Sequence, residues 1–323
     1  MIDIVIDNIY PYPDKKLTCF ERPLYAYINW LGKDPTYLGL ASWSFTDNYV
    51  KEFKGIRNNA PMRWIIDGVK DIYDIDLLVK YITNANESIK VVKSEIEEKN
   101  PVMVYVDSFY CPWYPSYYKS HINHYVLVVG VTKDNDFICL DKTTGDSIYK
   151  ILPIVDYIHG RNTGEVILFR NTQKNVDVQY AAGLFLKKQL IKMKDSDLFE
   201  NIRSYSFVIR NEFNIKNELD GVHDYRVAAI YTWLKGISTS REKFAFALKN
   251  CIVGVQERYI QELLEISVQW KNVLFQLMLA KERIISFNYV AEILMNIADK
   301  EECCFVKIQQ DIERRFNGAS AEY

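Results

Sequence analysis

The spacing of apolar residues changes character about halfway along the chain. Between Pro23 and Leu31, apolar positions at Leu24, Tyr27, Ile28 and Leu31 keep the three-to-four-residue rhythm of a helix face, and Gly32 ends it. Asp76 to Lys99 reads as one long helix stopped by Asn100-Pro101, and Val102 to Val106 as a short β-branched strand. An irregular aromatic stretch from Tyr110 to His121 follows. Two strong apolar runs, His124–Thr132 and Phe137–Leu140, are then joined by Lys133-Asp134-Asn135-Asp136, a polar tetrapeptide suited to a hairpin. Ser147–Ile151 and Glu165–Phe169 extend the same antiparallel sheet. From Gln179 onward strand signals nearly vanish, and the segments 179–194, 197–214, 222–234, 241–265, 267–283 and 286–315 all carry helical spacing.

These patterns predict an α+β fold: an antiparallel-sheet domain over residues 1–172, then an all-helical domain over residues 173–323, with the composition shift at Asn171–Asp177 as the boundary. A chain of 323 residues can bury two modest cores. Its 25% charged residues and formal net charge of −2 lack the basic excess of a nucleic-acid binder. No apolar run reaches membrane-spanning length, and the start Met1-Ile2-Asp3-Ile4 lacks the basic opening of a signal peptide. A soluble, cytoplasmic protein is expected. Six cysteines without a Cys-x-x-Cys pair then read as reduced thiols, with no structural metal site.

Three residues of the first half carry candidate chemistry. Thr18-Cys19-Phe20-Glu21 matches a capping box, which places Cys19 in the first turn of a helix, near the positive end of its dipole. Pro23 removes one backbone hydrogen bond from that first stretch. His124 opens one strand and Asp141 closes the next, so a simple hairpin between them makes the two cross-strand neighbours. A thiol at a helix start, a base on a strand and an acid to orient it are the parts of acyl transfer through a thioester. Each also has an ordinary use: a small buried thiol, a hydrogen-bonded strand-edge imidazole, a turn-initiating carboxylate. The order and the hairpin proximity favour the catalytic use. His121 competes with His124 for the base and Asp107 with Asp141 for the acid, while Cys111 and Cys139 read as structural. The backbone N–H of Cys19 is a natural oxyanion donor, with Asn8 as a candidate second.

Three motifs in order, Thr18-Cys19-Phe20-Glu21 with Tyr27-Ile28-Asn29-Trp30-Leu31-Gly32, Asn123-His124-Tyr125-Val126-Leu127-Val128-Val129-Gly130, and Cys139-Leu140-Asp141, resemble the N-terminal domain of the butirosin biosynthesis protein H family. The stretches Val268–Leu274 and Ile297–Glu302 resemble its C-terminal helices. The resemblance implies a papain-like fold akin to bacteriocin-processing cysteine peptidases, with Cys19 as nucleophile, His124 as base and Asp141 as acid. It implies an acyltransferase of antibiotic or peptide assembly, moving an acyl group from a carrier-protein thioester to an amine.

The partners so implied are an acyl- or peptidyl-carrier protein, whose phosphopantetheine arm brings the acyl group, and a small amine acceptor. No cofactor or metal of the protein's own is expected, and a homo-oligomer is left open. The helical domain is assigned to the substrate and carrier, with Tyr225, Tyr231, Trp233, Tyr259 and Trp270 as candidates to line a cleft. No Gln precedes Cys19, unlike the peptidase branch. A cysteine peptidase or amidase is the alternative reading, and a catalytically inactive interaction protein a further one.

Overall fold

The structure is a computed structural model that describes residues 3–14, 16–45, 49–50, 55–56, 62–141, 148–172, 175–218, 228–251 and 254–318. In chain order the first elements are β1 (Ile4–Val5), α1 (Glu21–Trp30), β2 (Tyr49–Val50), β3 (Gly55–Ile56), α2 (Met62–Tyr73), β4 (Ile75–Tyr81) and α3 (Ala85–Glu97). Then come β5 (Val102–Asp107), β6 (Asn123–Val131), β7 (Phe137–Leu140), β8 (Tyr149–Leu152), α4 (Ile154–Gly160) and β9 (Glu165–Asn171). The chain ends in helices: α5 (Val178–Asp195), α6 (Leu198–Asn211), α7 (Ile215–Glu218), α8 (Ala229–Cys251), α9 (Glu257–Lys281) and α10 (Phe287–Gly318).

Two compact units are present. One comprises Met1–Pro35 and Tyr73–Val176, the other Thr36–Ile72 and Asp177–Tyr323. The first is built on a sheet of order β4-β9-β5-β6-β7-β8, with β1 also pairing β6. Every pairing is antiparallel, so the α+β class read from the sequence is the observed one. All six residues of β5 are buried, as are all but the first of β6, which explains their unbroken apolar runs. Gly130 lets β1 approach β6: a side chain there would sit 2.4 Å from the Ile4 carbonyl oxygen.

Residues 75–99 depart from the single helix expected. β4 pairs with β9 along its whole length, from Ile75 opposite Asn171 to Tyr81 opposite Glu165. Leu78, Val79 and Tyr81 are exposed on this edge strand. The helix begins only after Asn84, whose side chain accepts the Glu87 N–H at 3.1 Å. Leu77-Leu78-Val79 does not alternate with polar residues, so periodicity alone could not separate a short edge strand from the helix behind it.

The second unit holds the six C-terminal helices, with residues 36–72 clustered among them. Its centre is polar. Arg241 and Glu301 are both fully buried and form a two-pronged pair, Nε to Oε1 at 2.9 Å and Nη2 to Oε2 at 2.8 Å. The Trp43 and Trp270 indoles donate to the same carboxylate at 2.9 and 2.6 Å, and Arg241 Nη1 reaches the Ser44 carbonyl at 2.7 Å. Gly39 packs tightly here, because a Cβ would meet the Lys243 carbonyl oxygen at 2.6 Å. The expected helical run 241–265 is broken between α8 and α9, where Gly254 adopts a φ of 72°. Tyr225, one of the candidate cleft residues, and the residues 142–147 that follow Asp141 lie outside the described residues. Among the described residues no helix is long and apolar enough to cross a membrane.

Candidate active site

Cys19 stands where the capping box puts it. The Thr18 hydroxyl accepts the Glu21 N–H at 3.2 Å, and Glu21 Oε2 accepts both the Thr18 N–H and hydroxyl at 2.9 Å. Arg22 N–H already bonds the Thr18 carbonyl at 3.1 Å, so the helical turn starts one residue ahead of the thiol. Pro23, buried in α1, has no N–H to give the Cys19 carbonyl. The result is a half-buried thiol in the turn that leads directly into α1.

His124 and Asp141 meet through a bulge that the simple hairpin did not include. Val131 faces Phe137 and Gly130 faces Ile138, but after the irregularity Val128 faces Cys139 and Leu127 faces Leu140. Continued one step, this register sets Asp141 opposite Val126, and His124, two residues on, shares that face. Without the extra residue Asp141 would fall opposite Leu127, and His124 would point to the other side of the sheet. The bulge at Val129 therefore brings the pair together.

The imidazole Nε2–H donates to Asp141 Oδ2 at 2.7 Å, and both side chains are almost wholly buried. Cys19 is the other group that acts on the His124 ring, and its influence, like that of Asp141, favours the charged imidazole. With Nε2 taken by Asp141, Nδ1 is the nitrogen left to face the thiol. Burial alone would push the imidazolium down, but the hydrogen bond and charge of Asp141, then those of Cys19, outweigh it and raise His124 from 6.5 to about 9. The cation this favours is the partner a thiolate needs.

The runners-up pair with each other instead. His121, exposed and stacked on Phe109, places Nδ1 2.6 Å from Asp107 Oδ2, while Asp107 Oδ1 accepts the Phe109 and Ile122 N–H groups at 3.0 Å. Asp107 thus pins the ends of the aromatic loop. Cys111, Cys139, Cys251 and Cys304 are buried, and burial raises each thiol, Cys251 to about 12, which leaves them protonated. Cys303 is exposed on α10. Asn8 lies in an exposed turn with a φ of 60°. Trp233, Tyr259 and Trp270, offered as cleft residues, are buried in the helical unit, while Tyr231 is half-buried. Among the described residues no cluster of three or more His, Cys, Asp or Glu side chains could hold a metal ion.

Trp113 is the site residue that sequence reasoning missed. Its indole N–H donates to Asp141 Oδ2 at 2.7 Å, the same oxygen that receives His124. Beside it Tyr114 lies over the imidazole, with ring centroids 4.6 Å apart. The aromatic loop thereby covers the His–Asp pair. Its composition was visible; which ring would reach the carboxylate depended on the bulge. Trp113→Phe keeps the ring and removes the donor, so Asp141 leans its charge more fully on His124. Acylation by a small thioester is expected to slow by about tenfold, with the basic pKa of its pH profile moved upward. An unchanged profile would show that the indole bond does not tune the pair.

The raised imidazolium also has a consequence for stability. Because folding lifts the His124 pKa from 6.5 to about 9, its contribution is fully present below 6.5 and is lost as pH rises through about 9. Urea midpoints taken on either side of that window should fall with pH in the native protein. The fall should be flatter in Asp141→Asn, where the main group that raises the pKa is gone.

The fold and site thus set a buried His124–Asp141 pair and a half-buried Cys19 thiol on one antiparallel-sheet unit. Residues 38–142 match the family model described as Butirosin biosynthesis protein H, N-terminal, the family that the sequence motifs resemble. The matched stretch contains His124 and Asp141 and begins after Cys19. No curated protein matches the chain. Among solved structures, a chain described as a C39-like peptidase from Bacillus anthracis is similar at 14% identity and a TM-score of 0.39, covering 54% of this chain and 100% of its own.

Proposed function

We propose that the protein is a cysteine-dependent acyltransferase that takes an acyl group from a carrier-protein thioester and delivers it to a small amine, in antibiotic or peptide assembly. The observation that carries the reading is the buried His124, which is hydrogen-bonded to Asp141 and whose charged form both Asp141 and Cys19 favour. The family match over residues 38–142 supports the choice of transfer as the reaction.

In the first step the Cys19 thiolate attacks the carbonyl carbon of the donor thioester. The carbonyl oxygen takes negative charge, for which the Cys19 backbone N–H is the assigned donor. The C–S bond to the phosphopantetheine arm breaks, and the departing sulfur takes its proton from His124. One thioester replaces another, so the step is close to isoenergetic. In the second step a neutral amine attacks the acyl carbon, His124 takes the proton from nitrogen, and Cys19 leaves as thiolate. Asp141 holds the imidazole in the orientation both transfers need. Trp113 and Tyr114, lying over the pair, are given the task of keeping water from the acyl-enzyme. The helical unit is assigned to recognising the carrier protein. Six free thiols fit a reducing, cytoplasmic setting.

The deciding experiment is the fate of the acyl group. The protein is loaded with a short acyl-pantetheine thioester and then given a range of primary amines in buffer. Amide formation that outpaces hydrolysis supports transfer. Hydrolysis alone, whatever the amine concentration, would favour the peptidase or amidase reading.

A further inference from the structure

A second group of side chains lies on the strand that carries His124, on the face opposite that imidazole and against Phe20, the residue after Cys19. Tyr125 follows His124 on β6 and lies directly opposite Tyr105 on β5, with ring centroids 5.5 Å apart. The Tyr125 ring also meets Phe20, with centroids 5.3 Å apart. The Tyr125 hydroxyl donates to Glu165 Oε1 at 3.1 Å, and the Tyr105 hydroxyl donates to Asn123 Oδ1 at 2.5 Å. Asn123 is exposed and Glu165 half-buried, so the group opens to solvent. Among the described residues, neither Lys nor Arg is ion-paired with Glu165. Burial and the neighbouring negative groups, Glu165 and Cys19 among them, raise both phenols, which keeps them neutral.

A carboxylate with no Lys or Arg paired to it among the described residues, beside aromatic rings and a side-chain amide, has the chemistry of an ammonium site. The acyl-transfer reading limits which ammonium it can hold. A carboxylate that clasped the reacting nitrogen would keep it protonated and unreactive, so the charge held here belongs to a different group of the same acceptor. Resting on that reading, we infer that Glu165, Tyr125, Tyr105 and Asn123 form an acceptor subsite, selecting amines that carry a second, positively charged group. Glu165 supplies the charge, Tyr125 orients its carboxylate, and Tyr105 with Asn123 completes the polar edge on the face that Phe20 meets.

The test compares 1,3-diaminopropane with propylamine as acceptors for the acyl-loaded protein, in the native chain and in Glu165→Gln. The native protein should prefer the diamine by about 10–100-fold in kcat/KM, as expected for one charge-assisted contact. Glu165→Gln should lose most of that preference, chiefly through KM for the diamine. Tyr125→Phe, which removes only a hydroxyl, should lose part of it. An adduct that forms in both proteins with the same discrimination would overturn the subsite and leave acyl transfer standing. If the native protein forms no acyl adduct, the transfer reading fails and the subsite with it.

Discussion

Cys19→Ala should lower acyl transfer by at least about a thousandfold, because removing a covalent nucleophile takes away the whole route and not one contact along it. The fold should survive. The position lies in the turn just ahead of α1, its thiol is only half-buried, and the Thr18–Glu21 capping box does not use it. The other thiols offer no substitute: four are buried and protonated, and Cys303 lies on α10, in the other unit. The check is single-turnover transfer alongside thermal melting. Activity near that of the native protein in a well-folded Cys19→Ala variant would remove the thiol from the mechanism.

The second large effect concerns stability. Glu301→Ala should destabilise the helical unit by about 3–5 kcal/mol, since it leaves Arg241 as a buried charge without its carboxylate. It also takes the acceptor from the Trp43 and Trp270 indoles. A double replacement by Arg241→Met and Glu301→Leu should cost less, because no charge is then stranded. Urea unfolding followed by tryptophan fluorescence reads both, and a loss below about 1 kcal/mol in Glu301→Ala would mean that water reaches the site.

What the sequence made legible, and what it did not, divides along the range of the interactions. Thr18 and Glu21 are three residues apart, so the cap that positions Cys19 could be read directly. The antiparallel sheet was visible because β5 and β6 are buried on both faces and therefore run apolar without a break. The contact of His124 with Asp141 was expected for an incomplete reason. The strand order suggested it, yet the bulge at Val129 sets the shared face, and its one local sign, Gly130 inside an apolar strand, does not say which register follows. Trp113 could not be singled out from an aromatic-rich loop because its partner is 28 positions away. The placing of residues 36–72 with the helices rests on still longer links: Trp43 bonds Glu301 across 258 positions, and Arg241 bonds the Ser44 carbonyl across 197. Local periodicity carries no trace of such pairs.

The most direct test of the account is to find where an acyl group lands. The native chain, with all six thiols present, is incubated with a short acyl-pantetheine thioester, quenched in acid, and mapped by peptide mass spectrometry. The account predicts one acyl group per chain, on Cys19, absent from His124→Ala and released as an amide when an amine is added before the quench. Acylation spread over Cys19 and exposed Cys303 alike, at a rate indifferent to His124, would contradict it.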